Sequence, residues 1–541
     1  MPHSFANNFI SGRSRRLFRS FVSCVFVLTC VLAAFGTNIS QTSDPSDSRR
    51  VLKAAKKLIL KGELIEAERI LREGLVASPN DPNLKLRLAF ALMKMRVLGE
   101  AYELTFEVAK ADKGNADALS LLGAILLTGG RFKDSRAILT QALRIDDNNA
   151  LALGTFGLLE FYENRIDLSL DYLAGASFYD PDNADFIFAY AQVAARAEKY
   201  QEAAALYRKF LQVSKDADDE RKARIRGLIN FLEYLGAKQS LYSITGSPSS
   251  SVPLELKGNR PVILVRINGR PEPLRFVLDT GSGISVISNE TAKRLKIKPV
   301  ARGGYAKGIG GSGKFEIVYG FLKDVNIGDS KIRNVPIYIR EFHQNVHDID
   351  GYIGISLISK FLTTVDYGER TFSLSRFDAE QNAKGPQFEM SLPLRLTSSG
   401  FLSGEVRMEG IQGPMNFIVD TGASVSVVSD SMAKREPFSS LPRNDTLRVI
   451  GSAGITENVE AFTIPKISFG KHSREKIAAI ALNLEIINDA SGFEQSGILG
   501  GNFFLDYKMT FDFKNSRLLF SPTKSGSSDN PTPLDEIKSI Y

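Results

Sequence analysis

The chain has 541 residues, of which 43% are apolar and 24% are charged, and this balance excludes a wholly disordered or fibrous protein. Its length is sufficient for two to four domains. The formal net charge is +7, and it falls to +3 when the four arginines of the first 20 residues are removed, which argues against a nucleic-acid-binding surface.

Residues 1–36 predict a targeting segment. The arginine-rich start precedes an apolar run from Phe21 to Gly36, which is short for a membrane-spanning helix of about 20 residues. We expect either a cleaved signal peptide or a retained N-terminal membrane anchor. In both cases the remainder is exported, to the periplasm or the extracellular face of the cell envelope.

The cysteine content limits the chemistry of an exported chain. The two cysteines, Cys24 and Cys30, both lie inside the apolar run. Removal of that run leaves no thiol nucleophile and no disulfide. The whole chain has only four histidines, so neither a metal site nor a cofactor is predicted.

From Val51 to about Gly236 the pattern is that of amphipathic helices with a period of 34 residues. Small residues recur at two positions of each period, and a fixed period of this length indicates a solenoid of stacked helix pairs. The two sets are Ala55, Ala89, Gly123, Gly157 and Ala191, and Ala67, Ala101, Ser135, Ser169 and Ala203.

The units at 51–236 resemble tetratricopeptide repeats, with a capping helix at 220–235. The resemblance implies a groove that docks a protein partner or the substrate. The alternative is an array that only spaces the rest of the chain from a membrane. Residues 237–251 are rich in serine and predict a flexible linker.

Two related ten-residue segments, 279–288 and 420–429, organise the rest of the chain. Each follows a short apolar run and leads into β-branched residues at strand-like spacing, so each aspartate lies where a buried strand turns. Two such carboxylates that face each other share one proton and supply a base and an acid together. The segments begin Asp279-Thr280-Gly281-Ser282 and Asp420-Thr421-Gly422-Ala423.

Further features follow both segments in the same order. A glycine-rich turn, at 308–313 and more weakly at 450–454, precedes an apolar-apolar-glycine element, at 350–354 and 496–500. This ordered duplication resembles the retropepsin-like aspartic proteases.

The resemblance implies hydrolysis of a peptide or protein substrate without a cofactor or metal. Asp279 and Asp420 would be catalytic, and a support role falls to Thr280, Gly281, Ser282, Thr421, Gly422 and Ala423. The implied substrate-binding flaps contain Gly308, Ile309, Gly310, Gly311, Gly451 and Ser452. Because Ser282 can hydrogen-bond its neighbouring carboxylate and Ala423 cannot, we expect the aspartates to share their proton unequally.

The sequence therefore predicts an all-α solenoid followed by an all-β, bilobal aspartic-protease fold. The expected divisions are a first lobe at 252–376, a connection at 377–390, a second lobe at 391–520 and a disordered tail at 521–541. Two alternatives stay open. One is an inactive peptide-binding or scaffold protein of the cell envelope, and the other is pairing of each lobe with the same lobe of a second chain.

Overall fold

A computed structural model describes residues 45–214, 218–238, 240–311, 313–342, 348–377, 388–443 and 446–523. The predicted targeting segment at 1–36 lies outside these residues, as does most of the predicted tail. In the part of the chain that is described, no helix combines the length and apolar character needed to cross a membrane.

The described N-terminal region is a succession of eleven helices, of which α1 to α10 form five antiparallel pairs and α11 packs last. Their bounds are α1 (Pro45–Lys61), α2 (Leu64–Ala77), α3 (Pro82–Lys94), α4 (Leu98–Ala111), α5 (Ala116–Thr128), α6 (Phe132–Ile145), α7 (Ala150–Tyr162), α8 (Ile166–Tyr179), α9 (Ala184–Arg196), α10 (Tyr200–Val213) and α11 (Asp219–Gly236).

The 34-residue period has a direct structural basis. Small residues at the two periodic positions are buried where the helices of a pair approach, and the Ser135 hydroxyl donates to the Gly123 carbonyl at 2.8 Å across one such contact. Ser169 and Gly157 repeat this bond one unit later, at 2.7 Å. The first helix of a unit is capped by an Asp or Asn side chain, and the caps of α3, α5, α7 and α9 are Asp81, Asn115, Asn149 and Asn183.

The first lobe follows the solenoid. Its elements are β1 (Ser243–Gly246), β2 (Ser249–Pro253), β3 (Glu255–Lys257), β4 (Arg260–Ile267), β5 (Leu274–Leu278), β6 (Val286–Ser288), α12 (Asn289–Arg294), β7 (Ala301–Lys307), β8 (Lys314–Ile327), β9 (Ser330–Arg340), β10 (Gly351–Ile353), α13 (Ile355–Ile358), β11 (Leu362–Asp366) and β12 (Thr371–Ser375).

The second lobe repeats much of this order. Its elements are β13 (Met390–Pro393), β14 (Arg395–Leu396), β15 (Leu402–Met408), β16 (Met415–Val419), β17 (Ser426–Ser429), α14 (Asp430–Ala433), β18 (Leu447–Gly451), β19 (Gly454–Val459), β20 (Ala461–Phe469), β21 (His472–Leu482), α15 (Glu485–Ser491), β22 (Gly497–Leu499), α16 (Gly501–Phe504), β23 (Tyr507–Asp512) and β24 (Arg517–Pro522).

The strand pairings show the internal duplication. In the first lobe β5 runs parallel to β10, β10 antiparallel to β6, and β6 parallel to β9. In the second lobe β16, β22, β17 and β21 repeat the same sequence of pairings. Each Asp-Thr-Gly turn therefore leaves the equivalent strand, β5 or β16, and both are interior strands of their sheet. The predicted combination of an all-α solenoid and a bilobal β region is confirmed.

The predicted flexible linker at 237–251 is not what the structure contains. Strand β1 pairs with β9, and β2 pairs with β12 at the edge of a six-stranded sheet that both lobes build. The Ser250 hydroxyl donates to the Ile327 carbonyl at 3.0 Å and accepts from the Asp329 N–H at the same distance. Serine-rich composition indicates flexibility only where no sheet edge offers backbone hydrogen bonds. Likewise Ser521 and Pro522, assigned to the predicted tail, belong to β24.

The solenoid packs directly on both lobes. Phe493 of the second lobe lies in the solenoid core, with its ring centroid 4.9 Å from that of Phe132 and 5.1 Å from that of Tyr162. Helix α11 packs on β7 and β8 of the first lobe, where Phe231 stacks on Tyr319 at 4.4 Å. The two regions therefore share buried apolar surface.

Candidate active site

The two Asp-Thr-Gly turns meet at the boundary between the lobes. Each aspartate is tied to its own lobe, because the Asp279 N–H donates to the Ile353 carbonyl and the Asp420 N–H to the Leu499 carbonyl, both at 3.0 Å. Ile353 and Leu499 end the apolar-apolar-glycine strands β10 and β22. One backbone hydrogen bond in each lobe therefore seats the Asp-Thr-Gly turn beside the apolar-apolar-glycine strand.

The threonines join the turns by reciprocal hydrogen bonds across the lobe boundary. The Thr280 hydroxyl accepts from the Thr421 N–H at 3.1 Å and donates to the Val419 carbonyl at 2.6 Å. The Thr421 hydroxyl accepts from the Thr280 N–H at 3.2 Å and donates to the Leu278 carbonyl at 2.7 Å. Both side chains are almost fully buried, so this network fixes the relative position of the two turns.

The glycine of each turn lies against the aspartate of the other. A Cβ atom added to Gly281 would stand 2.5 Å from the Asp420 Cγ, and one added to Gly422 would stand 2.7 Å from the Asp279 Cγ. No larger residue fits there without moving a carboxyl. The Gly281 N–H also donates to the Asp279 Oδ1 at 2.9 Å, and the Gly422 N–H to the Asp420 Oδ1 at 2.7 Å.

The two carboxyls lie close enough that each changes the pKa of the other. Burial raises the pKa of Asp279 well above its usual range, and the Asp420 charge raises that pKa further. Burial also raises the pKa of Asp420, but hydrogen bonds from the Gly422 N–H, the Asp279 carboxyl and the Ala423 N–H oppose this. The pair therefore holds one proton between two carboxyls whose surroundings are unequal.

Ser282 does not produce this inequality. Its hydroxyl donates to the Ile284 carbonyl within its own turn, at 2.8 Å, and not to a carboxylate. The expected role of Ser282 was wrong in this respect, because a nearer backbone acceptor takes its proton. The inequality comes from the N–H groups around Asp420 instead.

The predicted flap residues form the tips of two hairpins. The first hairpin consists of β7 and β8 with Gly308, Ile309, Gly310 and Gly311 at its turn, and the second consists of β18 and β19 with Gly451 and Ser452. The two tips bond to each other, since the Ala453 N–H donates to the Ile309 carbonyl at 2.8 Å and the Gly311 N–H to the Ile455 carbonyl at 3.0 Å. In addition, the Ile309 N–H donates to the Ser452 hydroxyl at 3.2 Å.

Comparison with known families agrees with this arrangement. Residues 263–357 and 404–503 match the aspartyl protease family, one match in each lobe. The β region is a retropepsin-like aspartyl-protease domain. Residues 155–220, within the solenoid, match the tetratricopeptide repeat family. No curated protein matches the chain.

Several solved structures resemble part of the chain, and two of them are described as tetratricopeptide-repeat proteins. TTC0263 of Thermus thermophilus is 18% identical, and the match covers 34% of this chain and 98% of that one with a TM-score of 0.30. YrrB, described as having an unusual peptide-binding site, is 20% identical over 31% of this chain and 86% of its own, with a TM-score of 0.21. PilF of Pseudomonas aeruginosa is 15% identical over 35% and 86%, with a TM-score of 0.28.

Two features of the aspartyl-protease domain were not predicted from the sequence. Arg340, the last residue of β9, acts electrostatically on Asp279 and lowers its pKa. Helix α11 of the solenoid holds the outer strand of the first flap. No sequence pattern marks Arg340, since a single arginine after an alternating strand is ordinary. Alignment of the repeats identifies α11 as a cap but does not show what it covers.

Proposed function

We propose that the chain is an aspartic endopeptidase that hydrolyses peptide bonds at one site built from both lobes. The observation that carries this proposal is the reciprocal seating of the two turns, in which one buried, proton-sharing carboxyl pair is formed from Asp279 and Asp420. The carboxyls retain some solvent exposure, so that water and a substrate carbonyl can reach them.

The geometry supports general acid–base catalysis without a covalent intermediate. The Asp420 carboxylate removes a proton from a water molecule, and the resulting hydroxide attacks the carbonyl carbon of the scissile amide. The protonated Asp279 donates its hydrogen bond, and then its proton, to the carbonyl oxygen. Collapse of the tetrahedral diol returns a proton to Asp279 and transfers one from Asp420 to the amide nitrogen, and the C–N bond breaks.

The test is cleavage of a mixed peptide library by the wild type, Asp279→Asn and Asp420→Asn. Each substitution keeps the side-chain shape and removes one ionisable group, so both should abolish cleavage. Asp329→Asn, in the exposed turn between β8 and β9, is the matched control and should cleave as the wild type does. If only one of the two dyad variants is inactive, the lobes act separately. If the wild type cleaves nothing, the alternative of an inactive peptide-binding or scaffold protein is favoured over an enzyme.

The pH dependence follows from the raised pKa values. Activity requires one proton on the pair, so kcat/KM should form a bell when plotted against pH. The rate falls at low pH as Asp420 becomes protonated, and it falls at high pH as Asp279 loses its proton. Because the pKa of Asp279 is raised well above its usual range, the alkaline limb should lie far above about 3.9, the value for a free aspartate. An alkaline limb near that value would contradict a shared proton.

The roles of the other regions are also proposals. The match to tetratricopeptide repeats supports a solenoid that binds a protein partner or the substrate. The arginine-rich start and apolar run of residues 1–36 support export to the cell envelope, with the segment cleaved or kept as an anchor. Cell fractionation with an antibody against the solenoid tests the location.

A further inference from the structure

Arg340 lies between the catalytic pair and the flaps. One guanidinium nitrogen, Nη1, donates to the Ser452 carbonyl at the tip of the second flap, at 2.8 Å. The guanidinium carbon lies 5.4 Å from the ring centroid of Phe315 on the first flap, and 5.6 Å and 5.9 Å from those of Phe342 and Tyr352. These contacts place the cation against both flaps and beside Tyr352 of β10, the strand that seats Asp279.

The charge of Arg340 has no carboxylate partner among the described residues. None of the ion pairs and carboxylate hydrogen bonds found there includes it, and it acts on Asp279 only electrostatically. Its Nε is buried without a hydrogen-bond acceptor. The neighbouring sequence from His343 to His347 contains no acidic residue. A partly buried cation without a carboxylate is costly, and binding of an anion relieves that cost.

The geometry of the Arg340 guanidinium indicates which kind of anion it would bind. A guanidinium presents a planar set of N–H donors that matches the two oxygens of a carboxylate, and the aromatic rings of Phe315, Phe342 and Tyr352 restrict its orientation. The Ser452 carbonyl occupies only one nitrogen, Nη1. Because Arg340 contacts both flaps and acts on Asp279, a peptide held between the flap tips and the catalytic pair would lie beside it.

We propose that Arg340 binds a carboxylate of the peptide substrate and is a specificity-determining residue of the protease. The carboxylate is either an Asp or Glu side chain near the scissile bond or the C-terminal carboxylate of a short peptide. This inference rests on the proposed function and adds the substrate class, namely acidic peptides. Arg340 contacts substrate in this scheme and takes no part in proton transfer.

Two other roles for Arg340 make different predictions. If it only balances the charge of the catalytic pair, Arg340→Gln shifts the alkaline limb to higher pH equally for every peptide, because loss of the cation raises the pKa of Asp279. If it only anchors the second flap, Arg340→Gln lowers kcat/KM for all peptides by the same factor. Neither role creates a preference between a peptide and its uncharged analogue.

The experiment compares paired peptides that differ by Glu or Gln at each position around the cleaved bond, each with a free or an amidated C-terminus. The wild type should cleave one Glu peptide, or the free acid, with a kcat/KM at least about tenfold higher than its partner. Arg340→Gln should abolish that ratio, and Arg340→Glu should reverse it in favour of a Lys peptide. If the ratio between the Glu and Gln peptides is lost, Arg340 binds a side chain. If the ratio between the free and amidated C-termini is lost, it binds the C-terminal carboxylate.

A matched control and a binding measurement complete the design. Arg333→Gln, an exposed arginine on the same strand, should keep the wild-type ratio. Fluorescence anisotropy then measures binding of the same labelled peptide pairs, uncut, to Asp420→Asn with and without Arg340→Gln. Lack of cleavage by the wild type overturns the proposed function alone, since the anisotropy ratio still decides on Arg340. Equal binding of each pair by Asp420→Asn, or a ratio that survives the addition of Arg340→Gln, overturns the role of Arg340.

Discussion

At the residue scale, the site depends on two hydroxyl groups as much as on two carboxyls. Each of Thr280 and Thr421 accepts one hydrogen bond from the opposite turn and donates one to a strand of the opposite lobe. A hydroxyl is the side-chain group that can do both from one atom. The methyl group of threonine additionally fills buried space that a serine would leave empty.

Replacing Thr421 by valine should separate the role of the hydroxyl from that of the shape. Thr421→Val keeps the volume but leaves the Thr280 N–H and the Leu278 carbonyl buried without their partner, and each such group costs about 1–3 kcal/mol. We expect the midpoint of chemical unfolding to fall and cleavage to be lost. Thr421→Ser, which retains the hydroxyl, should be closer to the wild type in both measurements. Equal effects of the two variants would show that packing, and not hydrogen bonding, joins the turns.

At the scale of elements, the first flap is attached to the solenoid through α11. A Cβ atom on Gly227 would stand 2.1 Å from the Arg302 carbonyl oxygen of β7, so helix and strand are in direct backbone contact. At the other side of the hairpin, Lys314 pairs with Glu220 of α11 at 2.8 Å. Movement of this flap would have to shift or break these contacts, so we expect the position of α11 to influence the flap.

Gly227→Ala tests this coupling. The added methyl group must displace β7, which we expect to destabilise the chain by about 1–3 kcal/mol and to lower kcat/KM through a misplaced flap. Gly175→Ala on α8 is the matched control, since its Cβ would meet Leu153 at an ordinary 3.6 Å. Thermal unfolding and peptide cleavage measure the two effects. Unchanged kcat/KM in Gly227→Ala would show that the flap works independently of α11.

At the scale of the whole molecule, the solenoid contacts the protease domain through one repeated feature. The turn between the two helices of a unit has a residue with positive φ at Arg96, Gly130, Asn164 and Glu198, which are 34 residues apart. All four meet the lobes. Arg96 donates to the Asn488 carbonyl, the Gly130 carbonyl accepts from Asn416 at 3.4 Å, Asn164 donates to the Phe513 carbonyl at 3.1 Å, and Glu198 pairs with Lys360.

This interface predicts that the solenoid and the protease domain unfold together. Arg196, buried against the Phe161 ring, donates to the Thr397 carbonyl at 2.7 Å, and Phe493 inserts into the solenoid core. A fragment that begins at residue 240 should expose these surfaces and aggregate, whereas co-expression with residues 45–238 should restore a soluble, active complex. Calorimetry of the full chain should show one transition. Two separate transitions, or an active isolated fragment, would contradict a shared core.

The sequence was informative where a pattern repeats. The 34-residue period and the duplicated order around Asp279 and Asp420 predict the fold class, because each repeat reports the same local packing. A contact that occurs only once leaves no repeated pattern in the sequence. Ser250 forms part of a strand only because β12 offers a free edge, and Arg340 is notable only because of the flaps and Asp279 around it. The unpredicted features therefore depend on contacts between residues far apart in the sequence.

The four docked turns also constrain how this architecture can change in length. Successive turns contact fixed points on the protease domain. An insertion or deletion within the second to fifth units would therefore move every turn on one side of the changed unit away from its contact point. The first unit is free of this constraint, because open space surrounds its equivalent turn residue, Gly62. Units can therefore be added or lost only at the N-terminal end of the array. Their number determines how far the first helix of the array lies from the active site.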